Sequence, residues 1–287
     1  MKGLIIHPRE AMVVFVVTLL VGSTGCAARS RTSSIVDDQM SARWTRITAE
    51  ERAILIVANT KTGEVWCNDV ERARERFAPC STFKIPHALI ALETGVLSGR
   101  DHQFAWDGHE RSRSVTNRYH KLATAVQHSV VWYFQEVARR IGPARMRNWL
   151  AHLAYGNEDI SGGIDRFWLS SSLMISPEEQ VEFLGRLAHQ ELDVSEASQR
   201  LVRELIRLEH RDGIALFGKT GTGGESADAP NLGWFVGWLE DEHTQPTIIF
   251  AVVTPADGAT GRSARELTES LLIDAGWWSP APAVAAD

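Results

Sequence analysis

Lysine is scarce in this chain of 287 residues, in which 5 lysines stand beside 25 arginines. Acidic residues outnumber basic ones, 36 to 30, and the formal net charge is −6. A chain with this balance lacks the basic surface that binds nucleic acid or an anionic membrane, so we expect small soluble ligands as partners. Because 44% of the residues are hydrophobic, a disordered, collagen-like or coiled-coil protein is excluded.

Common signatures of metal sites and of two groups of serine enzymes are also missing. None of the 10 histidines lies in an H-x-H or H-E-x-x-H pattern. Cys67 and Cys80 alone are too few for a typical structural zinc site, so we expect no metal. No G-x-S-x-G sequence occurs, which argues against chymotrypsin-like and nucleophile-elbow enzymes.

The first 27 residues have the pattern of a signal peptide. Lys2 and Arg9 precede an apolar run over residues 11–21, which small residues follow. The run is too short to span a bilayer as a helix, so we expect cleavage, export to the periplasm and no stable membrane span. Lipid attachment through Cys26 is a less favoured alternative.

Export would leave Cys67 and Cys80 in an oxidising compartment. The 12 residues between them allow a disulfide loop to close. The alternative, which we favour slightly, is two buried thiols.

Apolar periodicity gives a coarse map of the chain. It predicts strands over 53–58, 64–66, 214–220, 232–239 and 247–253, a helix that begins at Ser81, and helices over 122–141, 177–188, 197–208 and 263–275. The expected class is α/β (α+β), with a central antiparallel sheet built from both chain ends, flanking helices and an inserted all-helical lobe over about 100–212. We predict one domain over 44–280, with a flexible segment over 28–43 and a tail over 281–287.

Ser81-Thr82-Phe83-Lys84 has the form S-x-x-K at the predicted start of a helix. One turn separates the serine from the lysine, so both side chains leave the same face and can share a proton. A helix N-terminus also favours a developing negative charge. The alternative is a capping serine with a solvated lysine one turn later.

Lys219-Thr220-Gly221 follows an apolar strand. Residues 213–220 also fit the phosphate-loop pattern G-x-x-x-x-G-K-[ST], but residues 214–217 read as a buried strand rather than a flexible loop. We therefore do not expect nucleotide binding. The similar tripeptide at Lys61 lies in a predicted hairpin turn, where that lysine should be solvated.

Five short motifs in order resemble those of the class D β-lactamases. They are Ser81-Thr82-Phe83-Lys84, Ser129-Val130-Val131, Tyr155-Gly156-Asn157, Phe167-Trp168-Leu169 and Lys219-Thr220-Gly221. The likeness extends from about Thr45 to the last helix, and it implies the serine β-lactamase and transpeptidase fold. It also implies that Ser81 attacks a β-lactam carbonyl to form an acyl-enzyme.

The resemblance implies that Lys84 is the general base, carboxylated by carbon dioxide in a pocket of Phe83, Val131, Trp168 and Leu169. Burial among apolar groups would depress the lysine pKa from about 10.4 and leave the amine that this reaction needs. An arginine stays protonated and could not react in this way. Trp168 would donate its indole N–H to the new carboxylate, which could later activate water. Apart from carbon dioxide or bicarbonate, we expect no cofactor.

The remaining roles are also implied by the resemblance. Ser129 would relay a proton to the leaving nitrogen beside Lys219, and the N–H groups of Ser81 and Thr222 would form the oxyanion hole. The Thr220-Gly221-Thr222 segment would bind substrate, with Thr220 and a C-terminal arginine holding its carboxylate. Arg262 and Arg265 compete for that last role, and we favour Arg265.

The predicted function is that of an exported enzyme, a monomer or homodimer, that hydrolyses penicillins and oxacillin-like antibiotics. The first alternative is a β-lactam-sensing domain that stays acylated. The second is a penicillin-binding transpeptidase. After removal of residues 1–27, two of the four remaining lysines, Lys84 and Lys219, lie in these motifs.

Overall fold

The computed structural model describes residues 35–224, 231–241 and 246–281. The predicted signal peptide, Cys26 and all but the first residue of the predicted tail lie outside these ranges. The strands in the described part are β1 (Ile54–Asn59), β2 (Val65–Cys67), β3 (Gln103–Phe104), β4 (His120–Lys121), β5 (Arg207–Arg211), β6 (Ile214–Gly223), β7 (Leu232–Asp241) and β8 (Pro246–Pro255).

Helices connect and flank these strands. They are α1 (Asp38–Glu50), α2 (Lys84–Glu93), α3 (Leu122–Gln127), α4 (Val131–Ile141), α5 (Pro143–Leu153), α6 (Pro177–Ala188), α7 (Glu196–Leu205) and α8 (Gly261–Asp274). Short 3₁₀ turns occupy Arg72–Arg74, Cys80–Phe83 and Ser114–Thr116.

A six-stranded antiparallel sheet in the order β2-β1-β8-β7-β6-β5 forms the centre of the fold. The N-terminal strand β1 pairs with the C-terminal strand β8 from Ile54↔Val253 onward, which confirms the prediction of a sheet made from both chain ends. Strand β7 is buried on both faces, because Trp234 packs into one hydrophobic cluster and Phe235 into another on the opposite face. Its hydrophobic run is therefore continuous rather than alternating.

The segment predicted as one helix over 122–141 is two helices, so that prediction is wrong. Helix α3 ends at Gln127 and α4 begins at Val131, and Ser129 between them has φ +53°. A residue in the left-handed region does not continue a right-handed helix. The apolar periodicity runs across the break and therefore hides it.

The other boundary errors lie at the edges of the helical lobe. The helix predicted over 197–208 ends at Leu205, and Arg207–Arg211 instead forms edge strand β5 beside β6. Within the region predicted as wholly helical, Gln103–Phe104 also pairs with His120–Lys121. Sheet pairing with distant residues overrides local helical periodicity at these positions.

Residues 38–43, which were predicted to be part of a flexible segment over 28–43, instead form the beginning of helix α1. Asp37 caps the helix by accepting a 2.8 Å hydrogen bond from the Met40 N–H. Trp44 is fully buried and donates its indole N–H to Asp274 of α8 at 2.9 Å. The domain in this region therefore begins earlier than residue 44.

Cys67 and Cys80 carry thiols rather than forming a disulfide. The Cys80 sulfur is buried and donates to the Ala78 carbonyl at 3.4 Å, whereas the Cys67 sulfur donates to the Asp69 carbonyl at 3.2 Å. The free thiols agree with the favoured alternative of two buried thiols, except that Cys67 is half-buried. No helix within the described ranges is long and apolar enough to cross a membrane.

Candidate active site

Ser81 lies in the 3₁₀ turn Cys80–Phe83, which leads directly into α2 at Lys84. The turn is anchored from outside, because the Cys80 N–H donates to the Trp168 carbonyl at 3.0 Å. Lys84 Nζ donates to Ser81 Oγ at 2.8 Å. The structure therefore brings the predicted nucleophile and its predicted base into direct contact, and it rules out the alternative of a capping serine with a solvated lysine.

Lys84 is only 1% exposed. Burial, followed by the positive charge of Lys219, lowers the pKa of its amine well below the usual value. The ring centroid of Phe134 lies 5.5 Å from Nζ. The lowered pKa favours the uncharged amine, the form that can accept a proton or react with carbon dioxide, whereas a solvated ammonium can do neither.

Ser129 and Lys219 form a second contact of the site. Lys219 extends from β6 and donates to Ser129 Oγ at 3.2 Å and to the Thr220 carbonyl at 2.9 Å. Burial, with a smaller effect from Arg113, lowers the pKa of Lys219 to about 7. The break between α3 and α4 places Ser129 at this position, so the mispredicted helix boundary is itself part of the site.

Strand β6 passes close to the turn that carries Ser81. A Cβ at Gly221 would lie 3.1 Å from the Pro79 carbonyl oxygen, and one at Gly223 would lie 2.2 Å from Cys80 Sγ. A larger residue at Gly223 would collide with the turn, so glycine permits this approach. The same strand residues form a ladder with β7 and are not a phosphate-binding loop.

An aromatic pocket surrounds the Lys84 amine. Phe83 and Trp168 are fully buried and stack with ring centroids 5.7 Å apart, while Val131 and Leu169 are half-buried. The Trp168 indole nitrogen has no hydrogen-bond partner within the described part of the chain. A buried, unsatisfied donor beside a desolvated amine fits a carboxylate formed on Lys84.

Sequence reasoning missed two buried polar side chains near this pocket. Gln180 of α6 donates to Thr82 Oγ1 at 3.1 Å and to the Tyr155 hydroxyl at 3.3 Å, which ties the Ser81 turn to the Tyr155 motif. His87 lies one helical turn after Lys84 and is fully buried. The spacing of His87 from Lys84 was visible in the sequence, whereas nothing local pointed to Gln180.

The structure does not support Arg265 as the substrate-binding arginine. Its guanidinium is engaged by Glu209 and by Glu269, the latter at 2.5 Å, and lies 5.8 Å from the ring of Phe235. Phe235 belongs to the hydrophobic cluster on the face of the sheet opposite Trp234. Arg265 is therefore held by carboxylates on that side.

Arg262 is exposed at the start of α8, next to Gly261. A Cβ at Gly261 would lie 2.7 Å from the Gly221 carbonyl oxygen and 2.8 Å from Thr220 Cβ. The Gly261 N–H also donates to Thr222 Oγ1 at 2.8 Å. The start of α8 is thus fixed against the Thr220-Gly221-Thr222 segment, and Arg262 is the competing arginine that lies beside it.

No group of three or more histidine, cysteine or carboxylate side chains in the described ranges is arranged to hold a metal ion.

Comparisons with known proteins agree with this geometry. Residues 47–272 match the family model of the penicillin-binding protein transpeptidase domain. The chain is 42% identical to β-lactamase OXA-48 of Klebsiella pneumoniae over 191 residues, which cover 67% of this chain and 71% of that protein. Among solved structures, class D β-lactamase BAT-2 superposes with a TM-score of 0.76 at 36% identity, over 83% of this chain and 97% of that chain.

A receptor is also similar to this chain. The C-terminal domain of the BlaR penicillin-receptor of Bacillus licheniformis superposes with a TM-score of 0.76 at 34% identity, over 82% of this chain and 95% of that chain.

Proposed function

This chain belongs to the class D β-lactamases, and we propose that it hydrolyses the lactam amide of penicillins and oxacillin-like antibiotics through an acyl-enzyme on Ser81. The observation that carries the proposal is the 2.8 Å hydrogen bond between Lys84 Nζ and Ser81 Oγ. A serine hydroxyl is a weak nucleophile, and an adjacent base that takes its proton activates it.

In the acylation step, the carboxylate carried by Lys84 accepts the proton as Ser81 Oγ bonds to the lactam carbonyl carbon. The N–H groups of Ser81 and Thr222 stabilise the resulting oxyanion. When the carbon–nitrogen bond breaks, Ser129 donates its proton to the departing nitrogen. Ser129 then takes a replacement proton from Lys219. The contact of Ser129 with Lys219 supports this role, because a buried ammonium with a pKa of about 7 can supply a proton near neutral pH.

Deacylation requires a base that activates water beside the acylated serine. Carboxylation of Lys84 by carbon dioxide would supply an anionic base at that place. Two features of the pocket support it: the depressed pKa of the amine and the unsatisfied Trp168 indole N–H in the described chain. Phe83, Val131 and Leu169 line the pocket and exclude bulk water from it.

We assign the substrate carboxylate to Thr220 and Arg262. Penicillins carry this carboxylate, and a charge-assisted pairing with a guanidinium fixes its orientation. The contact between Gly261 and Thr220 supports the assignment, since it sets the first turn of α8 against the motif strand. Arg265 instead stabilises the packing of α8.

The test is turnover of a chromogenic cephalosporin and a panel of penicillins by the purified protein, with bicarbonate supplied. We expect multiple turnovers that Ser81→Ala abolishes. Absence of hydrolysis by the wild-type protein, or equal hydrolysis by Ser81→Ala, would contradict the proposal. Loss of activity in carbon-dioxide-free buffer and its recovery with bicarbonate would support carboxylation of Lys84.

A second candidate function is a β-lactam sensor, which the similarity to the BlaR penicillin-receptor domain favours. A sensor remains acylated, whereas an enzyme releases product. Intact-protein mass spectrometry after exposure to penicillin distinguishes them, because a persistent adduct indicates the sensor and a transient one indicates the enzyme. Mass spectrometry of the secreted protein also tests the proposed cleavage after residue 27 and export to the periplasm.

A further inference from the structure

His87 is a fully buried histidine with two unsatisfied nitrogens. Its side chain is 0% exposed, and neither Nδ1 nor Nε2 has a hydrogen-bond partner among the residues that the structure describes. Buried polar atoms in native proteins are nearly always hydrogen-bonded. A ring with both nitrogens unsatisfied therefore calls for a partner that is absent from the polypeptide itself.

The position of His87 indicates where that partner would be. His87 follows Lys84 by three residues in α2, a spacing that places both side chains on one face of the helix. Its ring contacts Phe134 and Trp168, with centroids 5.2 and 5.1 Å away. The Lys84 amine lies 5.5 Å from the same Phe134 ring. The Lys84 amine and the His87 ring thus both lie against Phe134, and His87 also lies against Trp168.

The charge of His87 suits an anion in this pocket. Burial, followed by the positive charge of Lys84, lowers the pKa of His87 to about 3, so the ring is neutral at pH 7 and carries one N–H. A neutral imidazole offers one N–H donor and one acceptor nitrogen, and its N–H finds no acceptor in a lysine ammonium. The His87 N–H is well placed if Lys84 Nζ bears a carboxylate, because that group offers two oxygens as acceptors.

We propose that His87 is a second hydrogen-bond donor, beside Trp168, to a carboxyl group on Lys84, and that it sets how tightly the protein retains carbon dioxide. This inference rests on the proposed carboxylation of Lys84. In that step the lone pair of the neutral amine bonds to the carbon of carbon dioxide, one carbon–oxygen electron pair moves onto oxygen, and the nitrogen loses one proton to water. His87 and Trp168 then each donate to an oxygen of the anion.

The test compares two replacements of similar length at position 87. His87→Gln keeps an N–H donor, whereas His87→Met fills the same space without one. Each protein is titrated with bicarbonate labelled with carbon-13, and the carboxylated lysine is measured by its carbon NMR signal. We expect His87→Met to need about 10-fold or more bicarbonate for half-carboxylation, because a hydrogen bond to a charged group is lost. His87→Gln should stay within about 3-fold of wild type, given the usual factor-of-ten scale for one such bond.

Other outcomes overturn the inference in distinguishable ways. Equal bicarbonate dependence in the wild type, His87→Gln and His87→Met removes the role of His87. An equal rise in the bicarbonate needed by both variants shows that packing of the ring matters rather than its N–H donor. No carboxylate signal in the wild-type protein overturns the carboxylation of Lys84, and this inference with it. Hydrolysis of penicillin by that same protein would still leave the acyl-enzyme function standing.

A measurement on the wild-type protein guards against variants that do not fold. In nitrogen-labelled protein, the His87 ring N–H should shift on addition of bicarbonate and become more protected from exchange with water. A ring N–H that neither shifts nor gains protection would overturn the proposal.

Discussion

The two buried lysines of the site lie in contrasting surroundings. On the Lys84 side, which comprises Lys84, His87 and Trp168, hydrogen-bond donors outnumber acceptors, and three ring nitrogens have no partner in the described chain. On the Lys219 side, which comprises Lys219, Ser129 and Thr220, the amine already donates to Ser129 Oγ and to the Thr220 carbonyl. The amine on the Lys219 side has hydrogen-bond acceptors within the fold. The donors on the Lys84 side lack acceptors in the described chain and could bind an anion.

This difference teaches that burial alone does not define the role of a lysine. Both amines have a depressed pKa with burial as the largest cause. Lys84 contacts the Ser81 nucleophile, so its neutral form is useful as a base. Lys219 contacts a hydroxyl and a carbonyl, so its charged form is useful as a source of positive charge and of a proton.

Replacement of each lysine by arginine should give the largest effect and test this contrast directly. Lys84→Arg should lower kcat for a penicillin by about 10³-fold or more, because an arginine stays protonated and cannot act as a base. Lys219→Arg keeps the positive charge and should lose only about 10-fold to 100-fold, the lower part of the range for a positioned proton donor. Steady-state kinetics with saturating bicarbonate measure both.

Lys121→Arg is the matched control for these substitutions. Lys121 is exposed and paired with Asp101 at 2.9 Å, so an arginine can replace it without loss of activity. A greater loss in Lys219→Arg than in Lys84→Arg would reverse the roles assigned to the two sides.

Two arginine substitutions test which arginine binds the substrate carboxylate on the Lys219 side. Arg262→Ala should raise KM for penicillins by about 10-fold to 100-fold, because a charge-assisted contact to the substrate carboxylate is lost. Arg265→Ala should change KM by less than about 2-fold and lower the free energy of unfolding by about 1 kcal/mol, since its ion pairs are still partly exposed to solvent. If Arg265→Ala raises KM and Arg262→Ala does not, the assignment of the carboxylate site is wrong.

The smallest expected effect is a pH dependence of stability from the two depressed lysine pKa values. Between pH 7 and the usual lysine pKa, the unfolded chain binds a proton at Lys219 that the folded protein does not hold. The free energy of unfolding from this group therefore rises with pH, by up to about 1.4 kcal/mol per pH unit. Urea unfolding at about pH 7.5 and about pH 8.5, both above the folded pKa of Lys219, measures the slope.

Lys219→Met should reduce this slope, since one of the two buried lysines with a depressed pKa is gone. Lys61→Met is the matched control, because Lys61 is exposed in the turn between β1 and β2 and should leave the slope as it is. Stability that falls with pH in the wild-type protein would contradict the depressed pKa values.

Much of the fold was predictable from local patterns. Helix α6 begins at Pro177 and ends at Ala188, as its periodicity predicted, because Ser176 and Glu179 form a capping box ahead of an amphipathic segment. The strands after residue 213 were also found, since β6, β7 and β8 are buried and rich in apolar residues. These signals are short-range, so a single sequence contains them.

Boundaries set by strand pairing and tertiary contacts were harder to predict. Edge strand β5 pairs with β6 across the two-residue turn Asp212-Gly213, a local hairpin signal beside a strand whose own sequence has no apolar alternation. Ser129 adopts φ +53° between two helices of continuous apolar periodicity. Similarly, the choice between Arg262 and Arg265 depends on Glu209, a residue that lies far away in the sequence.

The sequence by itself determined the family, the order of the motifs and the pairing of Ser81 with Lys84, because S-x-x-K acts within one helical turn. Only the tertiary structure decided which polar groups are satisfied. The α3–α4 break and strand β6 supply Lys219 with its two partners, whereas the packing of α2, α4 and the Trp168 loop leaves His87 and Trp168 without any in the described residues. Whether a buried polar group finds a hydrogen-bond partner depends on atoms brought together from the whole chain. The scarcity of lysine therefore pointed to the site but not to the different surroundings of its two lysines.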